Sequence, residues 1–513
     1  MANNQTQATW NYHDGTKHPG GHLMNPHHRY DPIFNPVPYK IYEELDSIPL
    51  PLSVDDRLTN MPALSAIATH ISPVPEGKVP DISIITRILH FSAGITKKLQ
   101  TGVGEMPFRA AACTGALYHI ELYLVCGNLP GLNAGVYHFD PSESALRLLR
   151  KGDYRRTLID AAANEPAVAN APAVLVYTDI FSRNAVKYQA REYRHAFWDS
   201  GTIIANTLAT AAASSLSANV VIGFVDDSVN QLLSLDDRRE VALALIPIGY
   251  VPEVVTGATP EIGPLEVTTV HGSDFDVDFP AIREMHQASS LTSWAEVAEW
   301  RAKPSTAKTT EPSAPLIPLE HQSPGTLPMD PVEKVITRRG STREFSQYPV
   351  SFSQLSTILE AASRKLPADF LTSQGDSLTE LYLIINEVDG VRSGSYAYGR
   401  DGHTLELIRE GEFRHDAGQL ALGQALGADA SVNLYFMARL EPIVERLGNR
   451  GYRAAQLEAS ITAGRVYLAA YALGLGATGL TFRDDAVTGF LSPHAKDKSA
   501  MFLVAVGKKV RRI

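Results

Sequence analysis

Two stretches carry side chains whose types and spacing could do chemistry. "TRRGSTREF" (337–345) gathers Arg338, Arg339 and Arg343 around Ser341 at the end of a helical pattern. Guanidinium groups bind phosphate oxygens through paired hydrogen bonds, and a small hydroxyl adds another. A solvated basic helix end, favourable to the helix dipole, has the same composition. "KYQAREYR" (187–194) opens with Lys187-Tyr188. A lysine in a desolvated pocket, or a tyrosine beside an ammonium, can take a proton from carbon; a surface lysine next to a packing tyrosine is the alternative. "GLGATG" (474–479) fits G-x-G-x-x-G, but it follows a long helical pattern instead of a strand. Its glycines therefore read as a helix end and entry into a strand at "LTF" (480–482), not as a phosphate cradle.

The elements that must position these residues repeat. "HIELYLVCGN" (119–128) matches "LTELYLIINE" (378–387), and "GVYHFDPSESALRLLRKGDYR" (135–155) matches "GSYAYGRDGHTLELIREGEFR" (394–414) at the same offset. "YRHAFWDSGTIIANTLATAAASSLSANVVIGFVDD" (193–227) faces "YRAAQLEASITAGRVYLAAYALGLGATGLTFRDD" (452–485) in the same register. A period this long means a duplicated domain, not a solenoid. Helices alternating with hairpin-like strands imply an α+β sandwich. The expected layout is an N-terminal arm (1–50), a first domain (51–265), a linker (266–328) and a second domain (329–513), paired as an intramolecular pseudo-dimer. The Pro-, Ser- and Thr-rich stretch 301–328 reads as extended chain. Asp330, Pro331 and Glu333 are expected to cap one helix, and Ser351 with Gln354 the next.

Composition narrows the function. The chain has 513 residues, 44% hydrophobic, with a formal net charge of −10, which favours neither nucleic acid nor an anionic membrane. The uncharged run 201–225 is long enough to span a bilayer, yet its Ala, Ser, Thr and Asn content points to a buried helix followed by a strand. Two widely spaced cysteines, Cys113 and Cys126, and an N-terminus without a signal pattern suggest a cytoplasmic protein. Cys113 reads as a small core residue. The five histidines of 13–30 form no ligand pattern, so no metal is expected. "FVDD" (224–227) and "FRDD" (482–485) read as turns with solvated acids.

"RRGSTREF" resembles the R-R-S-x-R-x-F signature of the FMN-dependent nitroreductase-like superfamily. "RAAACTGALYHIELY" (109–123) is similar to a signature of its SagB-type azoline-dehydrogenase branch, with Ala112-Cys113 and His119 departing from it. "YHDGTKH" (12–18), "KYQAREYR" and "LGLGATGLTFRDD" (473–485) extend the resemblance over nearly the whole chain. It implies a tandem nitroreductase-like sandwich. Arg339 and Ser341, helped by Lys509 and Arg511, would hold the FMN phosphate, with Arg338 also among the cofactor-binding residues, and Arg343 would lie near the flavin pyrimidine. Gln424, Gly479, Thr481, Thr114 and Gly115 would also contact the flavin. Lys187-Tyr188 would be the catalytic pair. The T-K-H segment implies an ordered arm over the sandwich.

The halves are degenerate in complementary ways. Between Arg57 and Arg87 the first half has no arginine, and "PIGYVPEVV" (247–255) has no basic residue; the second half shows "TSQGDSLTELY" (372–382) in place of the G-A-L-Y segment. One composite site, hence one FMN per chain, is expected. The resemblance implies a peptide-derived azoline substrate, with molecular oxygen among the candidate acceptors. The alternatives are an NAD(P)H-dependent nitro or quinone reductase, or a peptide- or partner-binding scaffold whose flavin site has decayed. A further homodimer is left open.

Overall fold

The computed structural model describes residues 2–31, 36–51, 58–101, 104–265, 267–270, 277–304, 314–321, 323–371 and 376–510. In the first half the strands are β1 (Ser47–Pro49), β2 (Ile95–Thr101), β3 (Gly104–Arg109), β4 (Ile120–Cys126), β5 (Gly135–Asp140), β6 (Ala145–Lys151), β7 (Ala173–Ile180) and β8 (Glu240–Ile248). The second half has β9 (Leu316–Pro318), β10 (Thr379–Ile385), β11 (Gly394–Gly399), β12 (Thr404–Glu410), β13 (Val432–Ala438), β14 (Gly476–Gly479) and β15 (Ser499–Gly507). Two large antiparallel sheets result, ordered β1-β6-β5-β4-β7-β8 and β9-β12-β11-β10-β13-β15-β14, and β2 pairs with β3 as a separate two-stranded sheet. Their registers agree: Tyr123 faces Val176 across β4 and β7, and Tyr382 faces Tyr435 across β10 and β13. The fold is α+β, a sandwich built twice.

The central strands are buried along almost their whole length, as their continuous apolar runs require. Two long helices, Glu192–Ala213 and Arg450–Ala472, are buried on nearly every side, because they pack against each other as well as on their sheets. Small residues permit that approach. A Cβ added at Gly201 would lie 2.7 Å from the Ser460 Cβ, so the helices meet almost backbone to backbone. The run 201–225 thus forms the end of a core helix, followed by an extended segment whose Ala218 and Val221 bridge to β8. Among the described residues no helix is long and apolar enough to cross a membrane.

The acids of "FVDD" and "FRDD" depart from expectation. Asp226 and Asp484 are buried, while their neighbours Asp227 and Asp485 are exposed. Asp484 receives Arg191 and Arg194 from the other half at 3.0 and 2.7 Å, and Asp226 receives Arg450 and Arg453 at 2.7 and 2.8 Å. Burial opposes both charged carboxylates, but the paired guanidiniums outweigh it and hold each below the usual carboxylate range. These are crossed ion pairs between halves, not solvated turns.

The arm repeats as well. Helix Gln7–Gly15 places His13 against Tyr452 at 3.3 Å, and its Thr16 hydroxyl accepts from Arg194 Nε at 3.0 Å. Helix Pro280–Ala288 places His286 against Tyr193 at 3.2 Å, and Ser289 accepts from Arg453 Nε at 2.8 Å. The expected linker 266–328 therefore contains the second half's arm, followed by helix Trp294–Ala302 and then β9. Residues 305–313 lie outside the described set.

The first expected capping box is also corrected. The helix runs Val332–Arg338 with Pro331 at its N-cap and no side-chain cap. Asp330 instead binds Lys334 and Arg338, and Glu333 is buried, accepting from Thr59 Oγ1 at 3.2 Å. Ser351 and Gln354 form the second box as expected.

Candidate functional site

Helix Val332–Arg338 ends where the chain straightens at Arg339. The arginine motif is then pinned to the end of the second sheet: Thr342 N donates to Ala477 O at 3.0 Å, and Phe345 bridges to Lys509. The glycines of 474–479 serve this contact. Gly474 leaves the long helix with φ of 78°, and β14 begins at Gly476, earlier than "LTF". A Cβ at Gly476 would meet Thr342 Oγ1 at 2.2 Å and Lys509 Cγ at 2.6 Å, so only glycine lets motif, strand and lysine converge.

Between this assembly and the first half lies a cavity of about 950 Å³, near the top of the range for small-molecule sites (about 300–1,000 Å³). It is lined by Arg338, Arg339, Ser341, Arg343, Gln424, Gly479, Thr481 and Lys509 from the second half. Thr114, Gly115, Lys187 and Tyr188 line it from the first. Arg511 lies outside the described residues.

Charge is unevenly spread over the wall. Arg339 is half-buried between the halves, donating to Ala110 O at 3.0 Å and Arg109 O at 3.4 Å, with its guanidinium 6.0 Å from the Tyr467 ring. Among the described residues no carboxylate pairs with it. Burial lowers its pKa, partly offset by Tyr467, Tyr471 and Tyr118. Lys509 stands 4.6 Å over the Tyr471 ring and is lowered by burial and then by Arg338. Arg338 donates to Tyr471 O at 2.9 Å and is paired to Asp330. Gln424 donates to its own turn, at Ala421 O.

Lys187 sits 4.9 Å over the Tyr30 ring and 5.3 Å over that of Tyr188. Burial, then Arg343, lower its pKa. Tyr188 is pushed up by burial and by Asp199, so its phenol keeps its proton at neutral pH, and its ring meets His195 edge-on at 4.6 Å.

Several lining residues were not singled out from sequence: Asp199, His195, Trp198, Tyr467, Tyr471 and Phe502, plus the β2–β3 hairpin, whose Lys97, Leu99 and Phe108 form one rim. Asp199 had a signal, because Glu458 stands opposite it in the repeat. Cys113 is half-buried and lines the cavity, instead of filling the core. Its thiol donates to Asp199 at 3.0 Å and accepts from Tyr118 N at 3.1 Å.

The donor set suits FMN. A half-buried guanidinium with no carboxylate partner among the described residues calls for an anion, and further cations stand beside it. The Thr481 hydroxyl is buried without a hydrogen-bond partner among the described residues, and Trp198, Leu480 and Phe502 offer apolar walls to a flat ring.

A duplicated α+β sandwich with a basic cavity between its halves defines the class of protein. The chain belongs to the Nitroreductase family, whose model matches residues 110–250 and 336–508. A Methanocaldococcus jannaschii protein named as nitroreductase MJ1384 is 31% identical over 35% of this chain and 91% of its own length. The trifolitoxin-processing protein TfxB of Rhizobium leguminosarum bv. trifolii is 28% identical over 32% of this chain and 45% of its own. The microcin B17-processing protein McbC of Escherichia coli is 30% identical over 25% of this chain and 49% of its own. The chain thus spans about half the length of these two processing proteins. A solved structure from Anabaena variabilis, named as a nitroreductase, shares the fold end to end. Its TM-score is 0.75 at 23% identity, covering 98% of this chain and 99% of that one.

Proposed function

We propose that this chain binds one FMN and oxidises a peptide-derived azoline ring. The observation carrying the flavin reading is Arg339: a half-buried cation between the halves, hydrogen-bonded among the described residues to main-chain carbonyls and facing a cavity of ligand size. Arg338, Arg339, Ser341 and Lys509 would hold the phosphate, with Arg511 as a further candidate. Arg343, exposed at the same mouth, adds positive charge where a reduced ring becomes anionic. Gln424, Gly479, Thr481, Thr114 and Gly115 would line the rest of the cofactor. The bound flavin would supply a two-electron acceptor that takes hydride from the substrate carbon.

The chain's own task is the proton. Lys187 would accept it as the ring becomes aromatic, because its amine ionises below the usual lysine range. Tyr188, protonated beside it, would orient the substrate by donating its hydroxyl. The names of TfxB and McbC support a peptide-derived substrate. Freshly purified protein is expected to show flavin absorbance at one FMN per chain; colourless protein that takes up no FMN refutes the reading. Lys187→Met should slow azoline oxidation by about 10²–10⁴-fold while FMN binding persists. In the wild type, kcat/KM should rise with pH through an apparent pKa below the lysine value of about 10.4, and that limb should vanish in the variant.

The M. jannaschii relative favours a second reading, reduction of nitro or quinone compounds by NAD(P)H. Rapid anaerobic bleaching of the flavin by NADPH would select it over the dehydrogenase.

A further inference from the structure

Beneath the cavity wall lies a buried cluster that the reaction above does not use. His119 has no exposure; its Nδ1 faces Asp179 at 2.6 Å and Glu192 at 3.4 Å, and its Nε2 faces Asp199 at 2.8 Å. Carboxylates stand at both nitrogens, so the ring donates from both and is an imidazolium. Burial disfavours that charge, but the surrounding acids outweigh it. Asp199 passes the constraint on. Its carboxylate accepts Thr114 N at 2.8 Å, Thr114 Oγ1 at 2.8 Å and the Cys113 thiol at 3.0 Å. The segment it holds is strained: Gly115, Ala116 and Tyr118 have φ of 65°, 55° and 49°. Non-glycine residues at such angles persist only where surrounding bonds over-determine them.

The second half is an internal control. Glu458 stands in the position of Asp199 and accepts Ser377 Oγ at 2.5 Å and Leu378 N at 2.7 Å, so an acid on the long helix that binds the end of this segment belongs to the fold itself. The charged remainder does not. The positions of His119, Asp179 and Glu192 are taken by Leu378, Ala438 and Gly451. Burying several ionised groups is costly, and the chain keeps them only in the half whose turn lines the cavity.

We propose that His119 and Asp199 form a charged clamp that holds the strained 113–118 turn as a preformed wall of the cavity, making both positioning residues for the ligand bound there. The consequence for FMN rests on the flavin reading; the clamp itself does not. Thr114 and Gly115 are fixed before any ligand arrives, so binding need not also order the turn.

Hydrogen–deuterium exchange of the apoprotein tests the clamp without a cofactor. In His119→Leu, which installs the second half's residue, and in the isosteric Asp199→Asn, exchange over 110–120 should quicken about tenfold, as expected for losing one charge-assisted hydrogen bond. Exchange in β10 and β13 of the other half should not change. His119→Gln, which can still donate to Asp199, should stay nearer the wild type. FMN titration should then show about tenfold weaker binding and an altered flavin absorption band in the two loosened variants, with recovery in His119→Gln. Wild-type exchange in both loosened variants overturns the clamp. Faster exchange with unchanged FMN affinity and spectrum overturns its positioning role. If the wild type binds no FMN, the flavin reading falls, and the exchange arm alone decides the clamp.

Discussion

Replacing Arg339 by alanine separates a phosphate-binding role from a structural one. The guanidinium donates to Ala110 O and Arg109 O and leaves its remaining donors toward the cavity. A hydrogen bond involving a charged group contributes about 1.5–3 kcal/mol. Losing one such contact to a phosphate should therefore weaken FMN binding roughly 10- to 150-fold. Riboflavin, which has the same ring and ribityl chain without the phosphate, is the internal reference. In a fluorescence-quenching titration its affinity should change by less than about threefold, because the lost contact is to the phosphate alone. Arg339→Lys retains charge but not the planar fork, so its FMN affinity should fall between wild type and alanine. Equal losses for FMN and riboflavin would mean that Arg339 only ties the halves together. Unchanged FMN affinity would refute the site assignment outright.

Other outcomes follow from the packing between halves. Asp226→Ala and Asp484→Ala each strand two buried guanidiniums and should cost about 3–5 kcal/mol in urea unfolding, by similar amounts because the two sites are equivalent. Both carboxyls ionise below their unfolded value of about 3.9, so their contribution is complete above that pH and is lost as pH falls through the depressed native values. Wild-type stability should drop steeply below about pH 4, and less steeply in either variant. Gly476→Ala should destabilise by about 1–3 kcal/mol through overpacking and weaken FMN binding, because Thr342 and Lys509 must both move. Gly489→Ala, at an exposed position of helix Asp484–Leu491 with open space around it, should stabilise slightly.

The repeat was legible because strand and helix patterns survive duplication residue by residue. Its register correctly paired β4 with β10 and the two long helices with each other. The capping box of Ser351 and Gln354 was also legible, since both partners lie within one turn. The Asp330 box was not: Asp330 has Lys334 and Arg338 as competing partners, and Glu333 is drawn inward by Thr59 from the other half. "FVDD" and "FRDD" misled for a related reason. A local window shows an acid after a strand, but not the two arginines of another domain that desolvate and pair with it.

By itself the sequence determined that this is one α+β sandwich made twice, with an arginine cluster in one copy and a lysine–tyrosine pair in the other. Periodicity and local residue chemistry encode both, and neither depends on long-range contacts. Tertiary structure alone brought twelve of the residues named from sequence, eight from one copy and four from the other, around one cavity. It also hid a second arm in the expected linker and turned His119, an unexplained departure from its family's pattern, into the centre of a buried charged cluster. Those features arise where distant segments exclude water from one another, and only the folded chain specifies which charges meet there.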